Sequence, residues 1–236
     1  MNSQIRLDRL LSNRGYASRR EVRALLKTGR ITIDGHVAQR VEQKVDPQLV
    51  LLDGEVLDPA NLTLMLHKPI DYTCSHEAAD SIFELLPERY LKRKPLLSCA
   101  GRLDKDVSGL VIISDDGELV HKIISPRNKV VKKYRVQLSN QLKQEDIEVL
   151  ASGNLQLKGE ETCLLPAQLQ ILNTHQAELC IIEGRYHQVK RMFAALGNHV
   201  EKLERIQIGR LQLADLEIGK YRILTKQEIA AILQSS

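Results

Sequence analysis

The stretch from Ser18 to Val37 leaves little freedom in how this chain begins to fold. Ser18-Arg19-Arg20-Glu21 is a capping box: the Ser18 hydroxyl accepts from the Glu21 amide while the Glu21 carboxylate reaches back to the Ser18 amide. This predicts a helix from about Arg19 to Thr28, stopped by Gly29. At about 100° per residue, Val22, Leu25 and Leu26 share one face, and Arg19, Arg20, Arg23 and Lys27 fall within roughly a 100° arc on another. Ile31-Thr32-Ile33, the Asp34-Gly35 turn and Val37 then read as a β-hairpin. Val50-Leu51-Leu52-Asp53-Gly54-Glu55-Val56 repeats that pattern. Upstream, Ile5, Leu7, Leu10 and Leu11 have mostly helical spacing as far as Gly15. Two short helices and a small sheet thus make a first domain over residues 1–60, leaving 61–236 for a second.

Charge is segregated along the chain. Residues 6–30 hold eight basic side chains (Arg6, Arg9, Arg14, Arg19, Arg20, Arg23, Lys27 and Arg30) against Asp8 and Glu21. That is a local +6 in a chain whose total is +4. Cations on one helical stripe can meet a row of phosphates and release their counterions, whereas the plain alternative is a solvated face. The stretch LDRLLSNRGYASRREVRALLKTGRITIDG resembles the S4-type RNA-binding domain over roughly the first fifty residues. The resemblance implies structured RNA as the partner, with Arg6, Arg9, Arg19, Arg20, Arg23 and Lys27 as its contacts.

Beyond Asp58-Pro59-Ala60-Asn61, a turn or linker, the chain reads as an α/β or α+β mixture. Leu62–Leu66 is a short apolar run, and strands are expected at Leu110–Ile113, Tyr134–Leu138, Ala167–Leu172 and Ala177–Ile182. Helices are expected near Glu118–Ile124, Gln144–Ala151, His187–Leu196 and Lys226–Leu233. With two Phe, six Tyr and no Trp, the core must be built from Leu, Ile and Val. No run approaches about 18 apolar residues, and the charged N-terminus is no secretory signal, so a cytoplasmic protein is expected. Phosphate-cradling glycine motifs and GxSxG are absent. The seven histidines and four cysteines lack metal-ligand spacing, so no metal site is expected; the reading as a whole calls for no cofactor.

One segment carries chemistry: Gly101-Arg102-Leu103-Asp104-Lys105-Asp106-Val107-Ser108-Gly109-Leu110, a polar loop running into an apolar strand. Asp104 lies between Arg102 and Lys105, whose charges would keep its carboxylate ionised and fit to act as nucleophile or base. The plain alternative is a turn in which Asp104 accepts from local backbone. Taken whole, the segment resembles the GRLD-x-[DE]-[TS]-x-GL signature of pseudouridine synthases, with Val107-Ser108 a mild departure. His67-Lys68-Pro69 resembles that family's lysine–proline motif, with His where Asn is usual. Ser125-Pro126-Arg127 and Lys132-Lys133-Tyr134 resemble the motif whose tyrosine packs on the target base. Glu183-Gly184-Arg185-Tyr186-His187-Gln188-Val189-Lys190-Arg191-Met192 resembles the one that gives the aspartate a basic partner.

The resemblance spans nearly the whole chain and is strongest for the branch with an S4-type domain, in particular its 16S rRNA, uridine-516 type. It implies an α+β catalytic domain on a mixed, largely antiparallel sheet with flanking helices. It makes Asp104 the nucleophile, Lys190 its partner (Arg191 the fallback) and Tyr134 the residue that stacks on the uracil. Arg102 would hold a phosphate or fill the vacated space, and Leu203 would wall the pocket. The implied partner is 16S rRNA or a small-subunit assembly intermediate, bound by a monomer. Three alternatives stay open: a 23S rRNA enzyme of the same family, a non-catalytic RNA-binding module, and a hydrolase using Asp104 and Asp106 as a carboxylate pair.

Overall fold

A computed structural model describes residues 4–234. The chain forms two compact units, one running through Leu62 and including Leu86–Ser98, the other comprising Thr63–Leu85 and everything from Cys99 onward.

The first unit carries helices α1 (Leu7–Asn13) and α2 (Arg19–Lys27). The capping box is formed: Ser18 Oγ accepts from the Glu21 amide at 3.2 Å, and Glu21 Oε2 accepts from the Ser18 amide at 2.7 Å. The expectation of a helix from Ile5 is corrected at its start. Ile5–Arg6 is extended and pairs antiparallel with Lys44–Val45, and the helix begins at Leu7. Four short strands, β1 (Ile31–Ile33), β2 (His36–Val37), β3 (Val50–Leu52) and β4 (Glu55–Val56), lie in the order β2-β1-β3-β4. Their hairpins close on Asp34-Gly35 and Asp53-Gly54, all at positive φ. Leu7, Leu10, Leu11, Val22, Ile31 and Val50 make the core beneath them.

Residues 86–98 fall within the second unit's stretch of sequence but pack with the first. They carry the short helix α3 (Glu88–Leu91). The buried Arg93 guanidinium fastens the segment, donating to the Pro59 and Ala60 carbonyls at 2.9 and 2.8 Å. Gly15 admits it closely, because a Cβ there would lie 1.9 Å from the Arg89 carbonyl oxygen.

The second unit is built on a mixed sheet of β5 (Thr63–Lys68), β6 (Ser108–Ser114), β7 (Lys132–Leu138), β8 (Gln168–Asn173), β9 (Gln176–Ile181), β10 (Val200–Ile208) and β11 (Tyr221–Ile223). Their order is β8-β9-β7-β10-β6-β5-β11. Every neighbouring pair is antiparallel except β6 and β10, which run parallel with Ser108 opposite Glu204 and Gly109 opposite Arg205. Helices α4 (Gly117–Ile124), α5 (Gln144–Ala151), α6 (Gln188–Ala195) and α7 (Lys226–Ile232) fall where the spacing predicts, within a residue or two at each end. The core is aliphatic, with Met65, Leu110, Ile112, Ile123 and Ile208 among its members, and Phe83 and Phe193 are both buried.

Two expectations are corrected. The apolar run at Leu62–Leu66 extends through Lys68, which is fully buried because its ammonium donates to the carbonyls of Pro69, Lys105 and Val107 at 2.8, 3.3 and 2.7 Å. Strand β10, the link between the two halves of the sheet, was not expected at all. Glu201, Lys202, Glu204 and Arg205 give it a polar appearance, yet Arg205 is buried.

Candidate active site

The parallel seam between β6 and β10 places the polar loop. Gly109 permits the close approach: its φ is +115°, and a Cβ there would lie 2.4 Å from the Arg205 carbonyl oxygen and 2.5 Å from its amide nitrogen. The loop is secured at its far side by Lys68, whose bonds to Lys105 and Val107 bracket the residues just after Asp104. Near its start, the Leu103 amide donates to Cys74 Sγ at 3.5 Å. Cys99 also hydrogen-bonds that sulfur, holding the Cys74 thiol below its usual pKa and pushing Cys99 up.

Asp104 faces two nitrogens from the next motif. His187 Nε2 lies 3.4 Å from Oδ1, and Lys190 Nζ lies 3.5 Å from Oδ2. Lys190 also contacts Asp106 Oδ1 at 2.6 Å, and that ammonium holds the Asp106 carboxyl below the ordinary range. The cations beside Asp104 are therefore not the sequence neighbours expected. Lys105 is drawn into an ion pair with Asp80, and Arg102 is exposed at the rim. The alternative partner, Arg191, is engaged elsewhere, donating to Glu160 Oε1 and to the Lys158 carbonyl, both at 2.8 Å. Arg185 is likewise committed, to Glu183, Thr162 and Cys163. Helix α6 aims Lys190 because Val189, Met192 and Phe193 bury its opposite face. His187, at its N-cap, holds φ +48°, an uncommon conformation for a side-chain-bearing residue and one found disproportionately at functional sites.

These groups open on a cavity of about 140 Å³. Asp104, Arg102, Tyr134, Lys190 and Leu203, all expected from sequence, line it together. Tyr134 and Leu203 are buried apolar walls. Sequence reasoning missed three further members: His187 as a neighbour of Asp104, Arg205, and Lys132. Arg205 braces the wall, donating through Nε to the Leu110 carbonyl at 2.7 Å and through Nη2 to the Gly101 carbonyl at 3.0 Å. Its Nη1 lies 3.5 Å from the Tyr134 hydroxyl. Gly101 and Gly109 are the sequence traces of that brace, and nothing in the sequence marks Arg205 as buried.

In the first unit, Arg9, Arg19, Arg20, Arg23 and Lys27 are exposed, so the helical stripe is presented to solvent. Arg6 is exposed but partly neutralised, bonding Asp8 at 3.1 and 2.8 Å through two nitrogens. Arg14 is buried, and Arg30 pairs with Asp53 at 2.6 Å, so neither adds a free cation to the stripe. Among the described residues, no group of three or more His, Cys, Asp or Glu is placed to hold a metal, and no helix is long and apolar enough to cross a membrane.

Comparison with known proteins gives two family matches: RNA pseudouridylate synthase over residues 62–195, and the S4 domain over residues 5–51. The chain is 43% identical to the ribosomal small subunit pseudouridine synthase A of Vibrio parahaemolyticus, covering 97% of this chain and 99% of that protein. It is 39% identical to the protein of the same name in Escherichia coli strain K12, covering 97% and 100%. A crystal structure of a pseudouridylate synthase superposes with a TM-score of 0.69 at 35% identity, covering 97% of this chain and 99% of that one.

Proposed function

The chain belongs to the RNA pseudouridylate synthase family, with an S4 domain at its N-terminal end, and from that premise we propose that it isomerises one uridine of 16S rRNA, at position 516, to pseudouridine, using Asp104 as nucleophile. The observation that carries this reading is the Asp104 carboxylate set in a cavity between His187 and Lys190, with Tyr134 and Leu203 as walls. The small-subunit target rests on the names of the full-length relatives.

The isomerisation breaks the bond from uracil N1 to ribose C1′, turns the base, joins C5 to C1′, and moves the C5 proton to solvent while N1 gains one. A carboxylate can attack C1′ or the ring, and either path begins with the same oxygen. The target base must leave its stack, at a cost of a few kcal/mol, and Tyr134 offers it a face to stack on. Tyr186, exposed beside the cavity and stacked on His187 with ring centroids 3.8 Å apart, offers a second aromatic face to a neighbouring base. The protein works in the cytoplasm on this reading, where rRNA is assembled.

The hydrolase alternative fits the site poorly. It requires one carboxyl to stay protonated as a general acid, yet Lys190 lowers the pKa of Asp106, whose side chain is 72% exposed. The experiment that tests the proposal follows tritium released from C5-labelled uridine in 16S rRNA. One equivalent released, with the RNA otherwise unchanged in mass, supports it. Free uracil, or no release, contradicts it.

Phosphate contact falls to the α2 stripe. Replacing Arg19, Arg20 and Arg23 by Gln is expected to weaken RNA binding and flatten its salt dependence, each lost contact lowering the log–log slope by roughly 0.7–0.9. Saturating turnover should fall less than affinity. Titrations of RNA binding at several salt concentrations check this, and an unchanged slope would make the stripe a solvated face only.

A further inference from the structure

We propose that Lys132 is a catalytic residue of this site, its ammonium donating to a uracil carbonyl and stabilising the negative charge that gathers on the base during isomerisation. The proposal rests on the uridine reading above and adds to it the group that serves the base rather than the ribose.

Lys132 is only 7% exposed, and among the described residues its side chain makes no hydrogen bond or ion pair. The other buried lysine, Lys68, shows the ordinary solution, with three carbonyls around its ammonium. Lys132 has no such cage, and its ammonium opens instead into the cavity that holds Asp104. Burial, and after it the nearby Arg205 guanidinium, draws the Lys132 pKa down to about 8. The side chain is thus buried along its stem while its ammonium faces the cavity with no protein acceptor, where a bound base can supply one.

Its position matches the task. On β7, residues 132, 134 and 136 point to one face of the sheet, so Lys132 and Tyr134 share the wall about 6.8 Å apart along the strand. An aromatic face and an ammonium thus stand side by side on one wall of the cavity, suited to a base that stacks on the first and meets the second with a carbonyl. Of the other cations on the cavity, Lys190 and His187 face Asp104, Arg185 is bonded to Glu183, Arg205 holds the Leu110 and Gly101 carbonyls, and Arg102 lies exposed at the rim.

The chemistry asks for such a group on either route. If Asp104 attacks C1′, the N1–C1′ electron pair leaves with uracil, and the charge spreads over N1, O2 and O4. If Asp104 adds to C6, the charge moves to C5 and O4. In both cases the carbonyl edge becomes more negative in the transition state than in the bound uridine, so a donor fixed there lowers the barrier more than it tightens binding.

The test compares wild type, Lys132→Met and Lys132→Arg in single-turnover tritium release from C5-labelled 16S rRNA, with RNA affinity and thermal unfolding measured on the same preparations. Methionine keeps the methylene packing and removes the charge. For Lys132→Met the expected results are a rate lower by roughly 10²–10³, as for loss of one preorganised donor, RNA affinity within about twofold, and a melting temperature equal to or a few degrees above wild type. Lys132→Arg should recover a substantial part of the rate. A purely structural lysine predicts the reverse: a lower melting temperature, with activity falling only as folded protein is lost. A Lys132→Met rate within about threefold of wild type overturns the proposal. So does a lost rate accompanied by lowered stability and no recovery in Lys132→Arg. If wild type itself releases no tritium, the uridine reading falls and this proposal with it.

Discussion

Asp104→Asn is expected to reduce tritium release from C5-labelled uridine by roughly 10³-fold or more, the scale of removing a nucleophile that acts as one unit with its neighbours. Asparagine preserves the shape of the side chain and removes the charged oxygen. Affinity for RNA should change less than about twofold, since phosphate contact is assigned to α2. Stability should move by less than about 1 kcal/mol. The Asp104 side chain is one-third exposed, and Lys190 retains Asp106 at 2.6 Å, so no ammonium is left stranded. Asp106→Asn supplies the comparison, because that carboxylate is 72% exposed and shares the Lys190 ammonium with Asp104. It is expected to cost no more than about tenfold, through looser placement of Lys190. Single-turnover kinetics of both variants decide between the carboxylates. Equal losses, or the larger loss at Asp106, would reverse the assignment.

Gly109→Ala is expected to destabilise the chain by roughly 3 kcal/mol or more, placing it among the few substitutions with a named cause for so large an effect. The added Cβ would sit 2.4–2.5 Å from backbone atoms of Arg205, which cannot swing away as a flexible side chain could, and φ +115° is itself strained for alanine. Strands β6 and β10 would have to separate at their parallel pair, loosening both the Asp104 loop and the Arg205 brace. Gly117→Ala is the control. Nothing lies within 4 Å of a Cβ there, and the residue opens α4, so the expected change is neutral to stabilising by about 0.4–1 kcal/mol. Urea unfolding of the two variants checks both. Near-wild-type stability in Gly109→Ala would mean that the seam yields without cost.

How far the sequence foretold the molecule depended on where the deciding signal lay. Helix α2 was legible because its start and stop are local, a capping box at Ser18 and a glycine after Thr28. The hairpins at Asp34-Gly35 and Asp53-Gly54 were legible for the same reason. Strand β10 was not, because its partners are far away in sequence and its charged residues suggest solvent. Arg205 is tolerated inside only through the Leu110 and Gly101 carbonyls. At the site, the motif resemblance placed Asp104, Tyr134, Lys190 and Leu203 on one cavity. The charges of the loop alone misjudged which cations flank Asp104, since adjacency in sequence says nothing about Asp80 drawing Lys105 away. Lys132 was passed over because a lysine ordinarily signals surface. Its burial becomes visible only once β7 has neighbours on both sides.

The central claim is that this chain converts one uridine of 16S rRNA. Pseudouridine mapping across both ribosomal RNAs, in cells lacking the gene and in the same cells supplied with wild type or Asp104→Asn, tests it most directly. The account predicts that one pseudouridine, at position 516 of 16S rRNA, is missing without the gene, returns with wild type, and stays missing with Asp104→Asn. An intact 16S pattern, with the missing modification in 23S rRNA or nowhere, would contradict it.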